Sequence, residues 1–285
     1  MRQGSRALPE RRLGDLVGEA FTLYGRHFWR LVAIAAVVEV PAALARLLPQ
    51  NSVAWLGVVM AVGVISSVLV YGAVAFAVCQ AYLKGKVDLG QSYGRVWWRI
   101  VTLVLVALVL GSMLGAFFGV GMAASPERPN LAVAATALSV PVIAIMVYLS
   151  MAVPATVIEG QKMEKALVRS WKLVTDHWWR VFGVSLVFGL LALGLSLLVG
   201  LPFALVELGL REGPGGVATV VQLLGDVVTG VVAPPLVFVG GTLLYLDLRV
   251  RKEGLDLEGL ARETALAPPS RPEAALFRPE EEGRP

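Results

Sequence analysis

No charged residue occurs between Leu47 and Leu83. A soluble fold needs charged and polar side chains on its surface, whereas a membrane-spanning helix needs about 20 consecutive apolar residues. The run therefore predicts a turn at Pro49-Gln50-Asn51 followed by one span over roughly 54–82. The composition agrees, because 56% of the residues are hydrophobic and 16% are charged, against about 45–50% and about 25% in soluble domains.

Five further apolar runs predict five more spans, at roughly 31–48, 100–122, 131–158, 181–206 and 218–246. The first run also allows a secretory signal peptide, because residues 43–45 read Ala-Leu-Ala, like a cleavage site of small residues. The long polar lead and the interruptions by Glu39 and Pro41 favour a retained first span. We therefore expect an all-α polytopic membrane protein with six transmembrane helices.

An amphipathic segment precedes three of these runs, and the clearest copy lies within residues 154–180. At helical spacing its apolar face contains Met163, Leu167, Trp171, Val174 and Trp178. The opposite face contains Lys162, Lys165, Arg169, Lys172 and Asp176. A basic polar face opposite a face with tryptophans is typical of a helix in the headgroup plane. Residues 12–27 and 88–98 predict two further interfacial helices.

The amphipathic segments also resemble one another in sequence. Residues 19–30 align without gaps on residues 169–180, and the matched pairs include Phe21–Trp171, Leu23–Leu173, His27–His177, Trp29–Trp179 and Arg30–Arg180. The middle copy, which ends in Trp98-Arg99, needs a gap of three residues. Aromatic–arginine pairs are common at membrane borders, but the ungapped match favours a true repeat. We expect three parallel units over roughly 12–83, 84–158 and 159–250, each an interfacial helix followed by two spans.

The basic residues predict the topology. All but three of the 25 lysines and arginines precede the first span, follow the last or lie in the two long segments between units; the exceptions are Arg46, Arg128 and Arg211. The positive-inside rule then places both termini in the cytoplasm and the chain in the cell membrane. Residues 1–11 and the Pro/Glu-rich residues 261–285 are expected to be flexible, which leaves 12–260 as the membrane domain. The net charge of +4 fits anionic lipid headgroups better than nucleic acid, because basic residues cluster where apolar runs end.

No catalytic or metal-binding motif is recognisable. Cys79, the single cysteine, lies in an apolar run and is expected to be a buried hydrophobe. His27 and His177 have no cysteine or acidic neighbour at ligand spacing, so they are a weak metal signal. No phosphate-cradling loop, nucleophile elbow or metal-hydrolase helix occurs. We therefore expect no enzyme, no metal and no cofactor.

Two motifs carry a family resemblance. Their residues are Pro154, Glu159, Gly160, Ser170 and Trp171 in the first and Asp247, Arg249 and Arg251 in the second. Over most of residues 12–260 the chain resembles the prokaryotic proteins named for the glycerophosphoryl diester phosphodiesterase membrane domain, although Leu246 stands where an aromatic residue often precedes the aspartate. Some members carry a fused phosphodiesterase barrel, for which the polar tail here is too short. The resemblance implies a stand-alone membrane module without inherited catalysis.

Glu39 is the sharpest candidate for a functional residue. It lies about ten residues into the first span, close to Pro41, and an ionisable group at that depth is costly unless it is paired or hydrated. The alternative is an uncharged glutamic acid that only braces a neighbouring span. Asp226 is either a second buried acid or an interface residue. Pro234 and Pro235 predict a kinked helix, as do Pro141 and Pro154, which suits a cavity but also simple packing irregularity.

The membrane borders supply the other candidates. They are Trp29, Arg30, Trp98, Arg99, Trp179 and Arg180, which either anchor the spans or form a lipid-headgroup site. Glu159 is expected to make a surface ion pair with Lys162. Asp247 and Arg251 are four residues apart, so a helix would pair them, with Arg249 beside them in a clasp.

Two functions remain open from the sequence. The first is a non-enzymatic membrane module that engages lipid or a partner protein in the membrane. The alternative is a transporter of a small solute or lipid that uses Glu39 and the proline-containing helices as its pathway.

Overall fold

The computed structural model describes residues 11–45, 53–123, 129–210 and 215–266. About 91% of the structure is helical, and no strand occurs in the part that it describes, so the all-α prediction is confirmed. The helices are α1 (Leu13–Arg26), α2 (Phe28–Ala45), α3 (Val53–Lys84), α4 (Leu89–Trp97), α5 (Ile100–Ala123), α6 (Pro129–Leu149), α7 (Ala152–Ile158), α8 (Met163–Val174), α9 (Trp178–Leu210), α10 (Gly215–Glu253) and α11 (Leu257–Thr264). A short 3-10 turn, Thr175–His177, joins α8 to α9.

Five stretches are long and apolar enough to cross a membrane: Gly57–Lys84, Ile100–Phe117, Thr136–Ile158, Met163–Leu210 and Gly216–Glu253. A sixth is obtained if α1 and α2, which meet at an angle of 80°, are taken together as one span. The chain is therefore a multi-pass membrane protein. Each proline predicted to kink a span lies inside a helix: Pro41 in α2, Pro141 in α6, Pro154 in α7, and Pro234 and Pro235 in α10.

The amphipathic helices α1, α4 and α8 lie at one end of the bundle, which we call the basic end. The face that α8 buries is rotated from the one predicted from hydrophobicity. In α8 the buried residues are Ala166, Ser170, Leu173 and Val174, while Trp171 is 46% exposed. In α1 they are Leu16, Ala20, Leu23 and Tyr24, while Phe21 is also 46% exposed. Ala20 of α1 and Ala166 and Ser170 of α8 let these two helices pack closely on the bundle, whereas Phe21 and Trp171 lie at the edge of the contact.

The packed core is concentrated at the basic end. In α3 no described side chain before Ser66 is buried, and in α6 none before Val147. In α5 none after Ala107 is buried, and in α9 none after Phe188. Protein–protein packing therefore holds the bundle together at the basic end, and these four helices face their surroundings along their far halves.

Helix α10 is the element on which the others assemble. It runs along α9 and packs against α1, α2 and α3. Next to its two prolines, the Tyr24 hydroxyl donates a 2.7 Å hydrogen bond to the carbonyl of Val232. The two prolines remove the backbone donors that the carbonyls of Gly230 and Val231 would have in a regular helix, so this bond from α1 adds a contact directly beside the weakened turn.

Ser170 joins α8 to the break between α6 and α7. Its hydroxyl donates to the Tyr148 carbonyl at 2.6 Å and accepts from the Met151 N–H at 3.0 Å. Ser92 of α4 is as fully buried as Ser170, but its hydroxyl donates only to the Asp88 carbonyl one turn earlier in the chain. Thus, although both serines are buried, only Ser170 links separate elements.

We expect Ser170→Ala to lower the free energy of unfolding by about 1–3 kcal/mol, because the buried Met151 N–H loses its partner. Ser92→Ala should cost less than about 1 kcal/mol, since the Asp88 carbonyl keeps its helical donor. Thermal unfolding of both variants in the same detergent measures the difference. Equal losses would contradict the bridging role of Ser170.

Candidate functional site

A carboxylate buried at the basic end holds three segments of the chain. Asp247 of α10 has no exposed surface, and its Oδ1 accepts a 2.8 Å hydrogen bond from the Arg11 N–H. Its Oδ2 accepts from Arg180 of α9 at 2.8 Å and from Arg251 at 2.9 Å. The same two arginines donate to the Arg11 carbonyl at 2.5 and 2.8 Å. We call these four residues the Asp247 cluster.

The side chain of Arg11 extends this cluster to α1 and α3. It pairs with Glu19 at 2.5 Å and donates to the Tyr82 hydroxyl at 3.0 Å, and Tyr82 also donates to Glu19. Burial raises the pKa of the Glu19 carboxyl, an effect that the adjacent Arg11 charge partly offsets. Although Arg11 belongs to the segment expected to be flexible, it is 5% exposed.

A second cluster surrounds Glu159, at the end of α7. Arg169 donates to both of its carboxylate oxygens, at 2.9 and 3.0 Å, and the Tyr245 hydroxyl donates to one of them. Arg249 lies 3.5 Å from Glu159 and 3.1 Å from Glu253, which also binds Arg169. We call these five residues the Glu159 cluster.

The Glu159 cluster reaches a helix beyond the second motif. Arg249 binds the Glu263 carboxylate of α11 through two nitrogens, at 2.5 and 2.8 Å. Arg95 of α4 donates to the Glu263 carbonyl at 3.2 Å and to the Val157 carbonyl at 3.0 Å. Residues 261–264, which the sequence assigned to the tail, therefore belong to a helix that the bundle holds.

The predicted surface pair between Glu159 and Lys162 is wrong. Glu159 is 8% exposed on its side chain and binds Arg169 instead. The reason is Gly160, whose φ of +72° reverses the chain and brings α8 back over α7. A Cβ at that position would lie 2.5 Å from Nη2 of Arg99, so the glycine also makes room for the arginine. The Asp247–Arg251 pair is present, whereas Arg249 belongs to the Glu159 cluster.

The motif residues thus share a structural role. Among the described residues, the charged side chains of the two motifs form ion pairs and hydrogen bonds with other protein groups. Most of these side chains are buried or half-buried. Such clusters fix the relative positions of helices but present no reactive group to a substrate. They therefore hold together helices that are distant in sequence.

The three tryptophan–arginine pairs at the membrane borders do not have equivalent surroundings. Trp29, Trp98 and Trp179 are 79%, 85% and 78% exposed, so all three project from the bundle where a long helix begins. Their arginine neighbours differ, because Arg180 is bound to Asp247, Arg99 lies over Gly160 and Arg30 is exposed.

A cavity of about 440 Å³ lies between α2, α9 and α10 in the half away from the basic end. Three acidic residues border it, Glu39 from α2, Glu207 from α9 and Asp226 from α10, together with the polar side chains of Gln222 and Thr229. Pro41, Pro234 and Pro235 are not among its lining residues.

Gly230 lets Glu39 approach α10. A Cβ at Gly230 would lie 3.7 Å from Oε2 of Glu39, so the carboxylate rests against the exposed backbone of α10. Carboxylates at such a place in an apolar helix are costly unless water, a cation or a polar neighbour solvates them. The cavity can therefore hold water and attract cations.

Glu207 and Gln222 were not recognised as site residues from the sequence. The signal was available, because the two residues lie seven and eight positions on either side of Pro214 in the Gly-Pro-Gly-Gly turn. Two antiparallel helices joined by a short turn bring such positions together. Among the described residues no group of three or more His, Cys, Asp or Glu side chains could hold a metal ion.

Comparison with known proteins gives a family without a function. The chain belongs to the family described as domain of unknown function DUF7847, whose model matches residues 91–246. The match begins in α4 and ends directly before Asp247, so it contains the Glu159-Gly160 motif and leaves out Glu39. No curated protein and no solved structure matches the chain.

We expect Asp247→Asn to lower the free energy of unfolding by about 3–5 kcal/mol, because it removes a fully buried carboxylate and leaves two half-buried guanidinium groups without their counter-charge. Asp176→Asn is the control. Asp176 also pairs with a cation of α10, Lys252, at 2.6 Å, but its side chain is 72% exposed, so we expect little change. Chemical denaturation of both variants, followed by circular dichroism, tests the expectation; comparable stabilities would overturn it.

Proposed function

We propose that the protein is a non-enzymatic membrane module that engages anionic lipid through its interfacial helices, with the basic end at the cytoplasmic face of the cell membrane. The observation that carries this proposal is the exposure of Trp29, Trp98 and Trp179, each projecting where a long helix begins. Tryptophan prefers the headgroup level of a bilayer, and basic side chains beside it attract anionic lipids.

The three-unit layout, with α2 as the sixth span, belongs to this proposal. Its support is that residues 150 positions apart share their burial. The buried residues of α1 and α8 correspond as Leu16–Ala166, Ala20–Ser170, Leu23–Leu173 and Tyr24–Val174. The same offset relates Leu31 to Val181 and Ile34 to Val184, all buried. In the middle copy, Ser92 and Val96 are the buried residues of α4.

The three-residue gap of the middle copy also has a structural counterpart. The 3-10 turn Thr175–His177 lies between Val174 and Trp178, whereas in the middle copy Val96 is followed directly by Trp97. The middle unit thus shortens the link between its interfacial helix and its span. The resemblance to the glycerophosphoryl diester phosphodiesterase membrane domain fits such a module, and we retain it as a proposal.

The anionic-lipid proposal predicts the outcome of a double substitution. Arg30→Gln with Arg99→Gln should lower the ratio of phosphatidylglycerol to phosphatidylcholine that co-purifies, by about fivefold per residue, since each juxtamembrane cation contributes about 1 kcal/mol. Arg180 is left intact, because it holds Asp247. The measurement is lipid mass spectrometry after purification from vesicles that contain both lipids equally.

The control for that experiment removes a charge outside the interfacial helices. Arg262→Gln alters an exposed cation of α11 that has no tryptophan beside it in the sequence. This variant should keep the lipid ratio of the unmodified protein. The same ratio in all three proteins would refute the headgroup contact.

A second candidate function is transport of a small cationic solute, protons included. The specific observation is the cavity bordered by Glu39, Glu207 and Asp226 within otherwise apolar helices. Glu39 and Glu207 are half-buried and Asp226 is exposed, and half-buried acids in apolar helices mark ion pathways in many membrane proteins. The loosely packed far halves of α5, α6 and α9 also leave room for helix movement, which a transporter requires.

For this second candidate we expect Glu39→Gln to abolish proton uptake into proteoliposomes that contain a pH-sensitive dye and carry an imposed potassium diffusion potential. The amide keeps the shape of the side chain and removes its titratable proton. Glu164→Gln, on the exposed face of α8, is the control and should keep the rate. Protein-free vesicles give the baseline, and a Glu39→Gln rate equal to that of the unmodified protein would leave Glu39 as a brace.

A further inference from the structure

An apolar groove of about 350 Å³ opens at the corner between α4 and α5. Its lining residues are Leu69 of α3, Tyr93, Gly94, Val96 and Trp97 of α4, Trp98, and Ile100 of α5. Trp97 and Trp98 at its edge are 70% and 85% exposed. The groove therefore lies on the surface of the bundle, where an interfacial helix turns into a candidate span.

The surroundings of the groove are those of a bilayer. Directly along α5 from the groove, Val101 and Leu105 are 71% and 41% exposed, and in a multi-pass membrane protein such side chains face acyl chains. The groove is continuous with this apolar surface, since Ile100 belongs to both. A pocket lined by apolar side chains at this depth is filled by lipid rather than by water.

The groove is joined to a helix that carries an exposed cation. The Tyr93 hydroxyl donates to the carbonyl of Ile34 in α2, which joins the groove to α2. Arg30 lies one helical turn before Ile34 on the same side of α2 and is exposed. An extended molecule with an apolar chain in the groove would thus place its polar end beside a guanidinium, which binds phosphate well.

The position of the groove favours its occupant. Because the groove opens onto the apolar surface of α5, the molecules around it in a bilayer are lipids. A flexible hydrocarbon chain can follow its contour with only part of its length inside.

We propose that this groove holds one acyl chain of a phospholipid, whose phosphate contacts Arg30. The inference rests on the proposed lipid engagement and gives it a location and a ligand. It differs from the headgroup contact in that it requires a phospholipid of any net charge, because the chain provides the fit and the phosphate is common to all of them.

The test is photocrosslinking of the full chain in vesicles with phosphatidylcholine or phosphatidylglycerol that carries a diazirine on one acyl chain. We expect crosslinks to Leu69, Val96 or Ile100 with both lipids. Gly94→Phe should reduce them about tenfold, because a Cβ at Gly94 has no atom within 4 Å and the ring can fill the groove without displacing the protein. Arg30→Gln should reduce them about threefold with both lipids.

Gly25→Phe is the matched control, because Gly25 of α1 also has open space around its Cβ position but does not line the groove. It should leave the crosslinks unchanged. Groove crosslinks that persist in Gly94→Phe, or their absence in the unmodified protein, would overturn the site. If Gly94→Phe blocks crosslinking while the purified protein shows no preference for phosphatidylglycerol, the groove stands and the anionic-lipid proposal fails.

Discussion

The packing of the basic end depends on one buried carboxylate. Asp247 binds the backbone of Arg11, the guanidinium of Arg180 and that of Arg251, so it joins the start of the described chain to the last two long helices. A carboxylate withdrawn from water is stable only when such partners replace its hydration. The cluster therefore forms completely or not at all, and we expect it to select one arrangement of these helices among the many that apolar contact alone would permit.

The two charged clusters and the apolar core have complementary roles. Within a bilayer, lipid chains compete with protein for apolar surfaces, so hydrophobicity alone discriminates poorly between helix arrangements. The discriminating contacts here are at the basic end: Glu159 with Arg169, Arg249 with Glu263, and the bonds of Ser170. The charged residues of the two sequence motifs lie in these clusters, whereas the cavity and the groove are lined by other residues.

The sequence predicted those features that depend on neighbours along the chain. Six apolar runs and three amphipathic segments were recognisable because hydrophobic periodicity is local, and the Asp247–Arg251 pair follows from four-residue spacing on a helix. The contact between Arg11 and Asp247 joins residues 236 positions apart, and no local pattern indicates it. Glu159 was matched with Lys162 because the two are near in sequence, whereas the positive φ of Gly160 brings Arg169 to it instead.

The buried faces and the cavity were predicted in part. Counting tryptophan as a core residue misplaced the contact face of α8, because Trp171 incurs little penalty from exposure at a membrane border. Glu39 was singled out by its depth, but its acidic neighbours come from the hairpin of α9 and α10. Their approach follows from the symmetry of that hairpin about its turn rather than from any pattern within one helix.

The uneven distribution of the core bears on how the protein responds to its membrane. Helix α10 has 39 residues, which at 1.5 Å per residue is about 58 Å, against a hydrocarbon thickness of about 30 Å. The part of α10 that exceeds this thickness includes the charged residues of the two clusters, which hold the helices together at the basic end. The far ends of the neighbouring helices can tilt, so a thicker or thinner bilayer changes the angles between those ends and leaves the clusters at the basic end unchanged. We therefore expect the bundle to adjust to membranes of different thickness through the tilt of these far ends.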